Sequence, residues 1–149
     1  MTATVHALVG GAVAASIQNP AAGILISAAS HPLLDLIPHW DFGWGWRKKT
    51  KKLLFLEAAF DLSLGFILAY FLFGQFMQNF WYFLACVFVS ELWDILETPY
   101  WFLNWRFPPF STIYNIQSKM QGKTKTMFGG ILTQLATVLT LLVILSVLH

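Results

Sequence analysis

Two histidines and two carboxylates lie within the stretch Ser30 to Asp41, which reads S-H-P-L-L-D-L-I-P-H-W-D. His31 and Asp35 are four apart, so a helix stacks them on one face a turn apart. His39 and Asp41 follow Pro38, where that helix should stop. Imidazole nitrogens and carboxylate oxygens gathered in this way suit a divalent cation, zinc or manganese first, with magnesium as the remaining alternative. The other acids repeat helical spacing: Glu57 and Asp61 are i,i+4, Glu91 and Asp94 are i,i+3, and Glu97 extends the second stripe by a turn. No Lys or Arg interrupts those apolar stretches to pair with them. A bound cation is the simplest neutraliser, with His31, Asp35, His39, His6, Asp61 and Asp94 as its expected ligands. Glu91 or Glu57 is then the spare carboxylate that could act as general base. The chain has no G-x-S-x-G or comparable Ser or Cys nucleophile motif, which favours phosphate over acyl chemistry.

Such residues need elements to hold them, and composition says which kind. Of 149 residues, 57% are hydrophobic and only 11% charged, with a mean hydropathy of +0.63. Those values exclude an ordinary soluble domain and point to a polytopic membrane protein. The expected fold is all-α: a single integral membrane domain over 1–149, built as a bundle of about five transmembrane helices. The first two form a short hairpin, from Ala3 to the break at Asn19-Pro20 and from there to His31. Its arms are rich in Gly, Ala and Ser, which allows close packing within the bundle or between copies, so the reading admits a homodimer. A long apolar helix is expected from Leu53 to Met77, another from Phe80 to Leu96 before Thr98-Pro99, and a last one from Thr124 to Leu148. The segment 100–122 mixes aromatic, proline and polar residues, and Ser111 to Gln121 reads as an amphipathic helix at the membrane surface.

The loop W-D-F-G-W-G-W followed by R-K-K-T-K-K resembles an interfacial belt leading into a cytoplasmic loop. All nine Lys and Arg, namely Arg47, Lys48, Lys49, Lys51, Lys52, Arg106, Lys119, Lys123 and Lys125, fall in connections on one side of the zigzag. The positive-inside rule makes that side the cytoplasm, and the expected location is the inner membrane, crossed several times. The N-terminal stretch lacks a basic n-region, so the first helix is expected to be retained. The single cysteine, Cys86, lies in an apolar run and reads as a small buried hydrophobe.

The same zigzag assigns depths. His6 lies near the start of the first arm, the His31 stretch at the end of the second, Glu57 and Asp61 early in the third helix, and Glu91, Asp94 and Glu97 late in the fourth. Successive helices are antiparallel, so all converge on the cytoplasmic half. A carboxylate at the centre of a membrane helix costs roughly 2.5 to 3.5 kcal/mol, and several together demand compensation. Plainer roles compete at several positions. His6 also fits an interfacial histidine, and Glu57 an ion pair with the nearby Lys48 to Lys52 run. Glu97 and Asp41 fit solvated boundary residues, Gln117, Gln121 and Gln134 fit helix packing, and His149 a solvated terminus.

His6 followed by Gly10 and Gly11, and then H-P-L-L-D-L-I-P-H-W-D, resembles the family of membrane-bound metal-dependent hydrolases over residues 1–45. The G-H-R-x-x-T-H-S type motif of many members is absent. The resemblance implies a small helical membrane protein with hydrolase activity. The expectation is therefore a metal-dependent hydrolase acting at the cytoplasmic leaflet on a lipid-linked phosphate or ester, with membrane lipid as its partner and no nucleic acid. Two other classes stay open: a cation or proton transporter subunit, and a non-catalytic membrane interaction protein.

Overall fold

The computed structural model describes residues 1–122, 124 and 126–148, without the side chains of residues 47 and 145–148. Lys123, Lys125 and His149 lie outside the described residues, as does the side chain of Arg47. Among the described residues the chain is all-helical, with seven α-helices: α1 (Ala3–Ser16), α2 (Pro20–Asp35), α3 (Lys51–Leu72), α4 (Phe80–Ser90), α5 (Leu92–Phe102), α6 (Phe110–Met120) and α7 (Met127–Leu148). Three starts are set by side-chain caps that satisfy otherwise unpaired N–H groups. Asn19 accepts from Ala22 N at 3.1 Å, with Pro20 in the first turn of α2. Thr50 does the same for α3 from Leu53 N at 3.2 Å, and Asn79 for α4 from Tyr82 N at 3.0 Å.

The hairpin of α1 and α2 matches the expected one, but α2 runs through Pro32 to Asp35 rather than ending at His31. Pro32 has no N–H, which leaves the Ala28 carbonyl without its i+4 donor. The Trp93 indole donates to that carbonyl at 3.2 Å, so a residue on α5 repairs the proline gap in α2. The expected fourth helix is broken at Glu91 (φ −96°, ψ −4°) into α4 and α5, and the second part continues through Pro99 to Phe102.

Helix α1 sits at the centre, against α2, α3, α4 and α7. Its residues Val5 to Ala12 are buried without interruption, as expected of a helix enclosed on all sides. Close approach explains its glycines. A Cβ on Gly10 would lie 2.9 Å from Val87 Cα and 2.7 Å from Cys86 O, so the α1 and α4 backbones can touch only at a residue without one. Leu8, Tyr82, Phe83, Cys86 and Val87 fill the core around that contact. Two segments, Lys51–Phe76 and Met127–Ile144, are long and apolar enough to cross a membrane, and only 17% and 11% of them is buried. Their apolar side chains, among them Phe60, Phe71, Phe128 and Leu139, are turned outward.

Helix α6 packs on α5 and α2. Its stripe Tyr114, Gln117, Ser118 and Gln121, at helical spacing, lines the cavity described next.

Candidate metal centre

The last turn of α2 places His31 and Asp35 as their spacing requires, with His31 Nε2 3.4 Å from Asp35 Oδ2. Helix α1 brings His6 to the other carboxylate oxygen, its Nε2 3.2 Å from Asp35 Oδ1. The His6 and His31 rings stack with centroids 3.7 Å apart and planes 10° from parallel. His39, past the end of α2, turns its Nε2 to 3.8 Å from Asp35 Oδ1 and 3.5 Å from Asp41 Oδ2. Helix α5 contributes Asp94, whose Oδ1 is 3.4 Å from His31 Nε2. His6, His31 and Asp35 form a buried triad whose ligand atoms lie within 4.8 Å of one another. The amino group of Met1 also pairs with Asp35 Oδ1.

Ring orientation is held by backbone carbonyls. The Ser90 carbonyl stands at the end of α4, where helix carbonyls run short of intrahelical donors, and His31 Nδ1 donates to it at 2.6 Å. His39 Nδ1 donates to Ile37 O at 2.8 Å. A carbonyl oxygen can only accept, so Nδ1 of each ring carries a proton and Nε2 faces the carboxylates. That is the arrangement in which a metal-ligating histidine is fixed by the hydrogen bond of its other nitrogen.

The loop after α2 is held from two sides. Gly122 N donates to Asp35 O at 2.6 Å, and a Cβ there would meet Ile37 C and O at 2.6 Å. On α7, Gln134 Nε2 donates to Trp40 O at 2.7 Å while its Oε1 accepts from Thr2 N at 2.9 Å and Thr2 Oγ1 at 3.0 Å. One side chain thus joins the loop carrying His39 to the start of the helix carrying His6.

The cluster opens into a cavity of about 860 Å³. Asp35, His39, Asp61, Glu91 and Asp94 line its floor, and Trp44, Trp46, Trp101, Tyr114, Lys51 and Arg106 its wall. Glu91 is 1% exposed, and neither carboxylate oxygen has a hydrogen-bond partner among the described residues. The helix break at this residue directs the side chain to the floor. Asp94 stays 44% exposed to the opening. Glu97, beyond the apolar stretch, accepts from the Trp101 indole.

The remaining residues singled out in the sequence have other surroundings. Both Asp61 oxygens serve the start of α1: Oδ2 accepts from Ala3 N at 2.7 Å, and Oδ1 from Thr4 N at 3.1 Å and Thr4 Oγ1 at 2.6 Å. It lines the cavity, yet its hydrogen bonds make it an N-terminal cap supplied by another helix. Glu57 is not brought to the cluster and pairs with Lys49 at 2.7 Å. Asp41 accepts from Gln121 Nε2 at 2.9 Å. The residue missed as a member of the site is Gln117: it is 7% exposed, and its Nε2 donates to Asp94 Oδ1 at 2.9 Å beside His31 Nε2 at 3.3 Å. The signal was the stripe it shares with Tyr114, Ser118 and Gln121.

No family model matches this sequence, and searches of curated proteins and of solved structures found no match.

Proposed function

We propose that this chain is a metal-dependent hydrolase of phosphate esters carried by membrane lipids or lipid-linked molecules, working at the cytoplasmic face of a bacterial-type inner membrane. The observation that carries the reading is the buried His6, His31 and Asp35 triad, whose Asp35 lines a cavity that also holds an unpartnered buried glutamate. The resemblance of His6 and the H-P-L-L-D-L-I-P-H-W-D stretch to membrane-bound metal-dependent hydrolases points the same way.

The donor set suits a divalent ion. Ligands held at about 2.1 Å from one ion lie about 3.0 Å apart along octahedral edges and about 3.4 Å along tetrahedral ones. The observed 3.2 Å from His6 to Asp35 and 3.4 Å from His31 to both Asp35 and Asp94 fall in that range. Imidazoles with carboxylates favour zinc or manganese. His6, His31 and Asp35 would hold the ion, with Asp94 and His39 completing the set. A divalent ion there supplies Lewis-acid polarisation of a phosphoryl oxygen and acidifies a water.

The chain's own residues do the rest. Glu91 accepts the proton of the attacking water at one of its free carboxylate oxygens as the phosphorus–oxygen ester bond breaks, and the leaving alcohol is protonated from solvent in the open cavity. Among the described residues Lys51 Nζ donates to two neutral acceptors, Phe102 O at 3.1 Å and Asn104 Oδ1 at 3.4 Å, so its charge is available to an anion. The Arg106 guanidinium lies over the Tyr100 ring at 3.8 Å and adds a second cation at the wall. Purified protein in mild detergent is expected to release phosphate from lipid phosphates only with Zn²⁺ or Mn²⁺ present and to stop on chelation. Turnover indifferent to chelator would sink the proposal.

The membrane arrangement belongs to the same reading: α1, α2, α3, the pair α4 and α5, and α7 as five passes, with α6 lying at the surface. Support comes from the outward apolar faces of α3 and α7 and from the basic residues: Lys48, Lys49 and Arg106 lie between the long helices, Lys51 and Lys52 in the first turn of α3, and Lys119 in the last turn of α6. In a Cys86→Ala background, a cysteine placed at Lys48 should resist an impermeant thiol reagent added outside intact cells and react after permeabilisation. Labelling from outside would reverse the orientation.

A second reading has one observation in its favour. The Met1 amine on Asp35 is itself a cation, so the cluster could be a structural network that ties the start of α1 to the end of α2. Metal content of the purified protein separates the two.

A further inference from the structure

Gln117 is buried to 7% exposure on α6, and its two amide atoms are in opposite situations. Nε2 lies between two prospective metal ligands, 2.9 Å from Asp94 Oδ1 and 3.3 Å from His31 Nε2. Oε1 is buried with no partner among the described residues. His31 Nδ1 donates to Ser90 O while its Nε2 stands 3.4 Å from Asp94 Oδ1, so the amide nitrogen lies in the gap between an imidazole nitrogen and a carboxylate oxygen. An NH₂ group in that gap, donating to Asp94 Oδ1, takes the place a cation would take.

We propose that Gln117 is itself a ligand of the metal centre, its amide turning so that Oε1 meets the ion bound by His31 and Asp94. The inference rests on the metal reading above and adds a ligand from a helix that the His and Asp stretch does not include. The terminal torsion of a glutamine is broad and two-fold, so exchanging oxygen and nitrogen needs no movement of α6. The exchange puts an oxygen where the nitrogen now stands, at separations from the other donors of the size expected along a coordination edge. It also ends the isolation of Oε1. The displaced NH₂ takes the buried position that Oε1 leaves. Metal binding would thereby fasten α6, which otherwise rests on α5 and α2, over the floor of the site.

Glutamate at this position separates ligand from hydrogen-bond donor. If Gln117 only donates to Asp94, Gln117→Glu and Gln117→Leu should both harm the site, since a carboxylate beside Asp94 repels it. If it is a ligand, Gln117→Glu keeps an oxygen and removes the need for the turn. Full-length protein in detergent is titrated with Zn²⁺ and with Mn²⁺, and proteolysis of α6 is followed with and without the ion. Expected are a Kd roughly 10- to 100-fold weaker for Gln117→Leu, a Kd no weaker than wild type for Gln117→Glu, and ion-dependent protection of α6 lost only in the leucine variant. Thermal melts without metal show whether each variant is folded, and Gln117→Asn, too short to reach, stands in if the leucine variant is not. Wild-type affinity in the leucine and asparagine variants, or equal loss in leucine and glutamate, overturns the inference and leaves the metal reading intact. A wild-type protein that binds neither ion overturns the reading on which it rests.

Discussion

Asp35→Ala is expected to lower Zn²⁺ or Mn²⁺ affinity by roughly 100-fold or more and to abolish metal-dependent turnover, because no other side chain contacts so much of the site. Its Oδ1 faces His6 Nε2 at 3.2 Å and His39 Nε2 at 3.8 Å, and its Oδ2 faces His31 Nε2 at 3.4 Å. The side chain is 9% exposed, so water cannot replace what is removed. The alanine variant also leaves the Met1 amine without its counter-charge, and breaking a buried pair in this way costs about 3 to 5 kcal/mol. Asp35→Asn is the companion variant. It keeps the shape and one acceptor oxygen, so it should fold better than the alanine protein while still binding metal far more weakly than wild type. Metal content by elemental analysis, affinity by titration and stability by thermal melts check the pair. Full metal occupancy in Asp35→Asn would remove Asp35 from the ligand set, and negligible metal in wild type would leave the structural network as the reading.

The pairing of His31 with Asp35 could be read from the sequence because they are four apart and a helix keeps such positions on one side, while His39 follows the helix end. The gathering of His6, Asp94 and Glu91 at the same end followed from the antiparallel order of the segments. What the sequence could not show depends on contacts between segments. Asp61 has the spacing of a site carboxylate, yet its oxygens are taken by the backbone N–H groups that begin α1, and such donors carry no signature in the sequence around residue 61. Glu57 differs, since its pairing with Lys49 is the ion pair that its nearness to the Lys48 to Lys52 run offered as the plainer role. Pro32 signals the end of a helix, and it fails to end one because Trp93, distant in the chain, supplies the missing donor. The break at Glu91 lies in S-E-L-W-D, without Gly or Pro, and no local rule announces it. Gln117 was assigned to packing because an amide in an interfacial helix most often packs. Its place beside Asp94 depends on where α6 docks.

Glu91→Gln is expected to move activity and stability in opposite directions. As general base, Glu91 must take a proton that an amide cannot take, so kcat should fall by roughly 10²- to 10⁴-fold with metal affinity nearly unchanged. In the resting protein the same carboxyl is 1% exposed and both oxygens lack partners among the described residues. A buried acceptor without a donor costs about 1 to 3 kcal/mol, and a charged one more. An isosteric amide cannot ionise and adds donors that can reach neighbouring oxygens, so the variant should melt at a higher temperature than wild type. A residue kept for packing would show the reverse: unaltered turnover and lower stability. A ligand would show lost metal together with lost turnover. Lower kcat, retained metal and a raised melting temperature together are the pattern that a buried, unpartnered base produces, because the feature that costs the fold its stability is the free oxygen that the reaction needs.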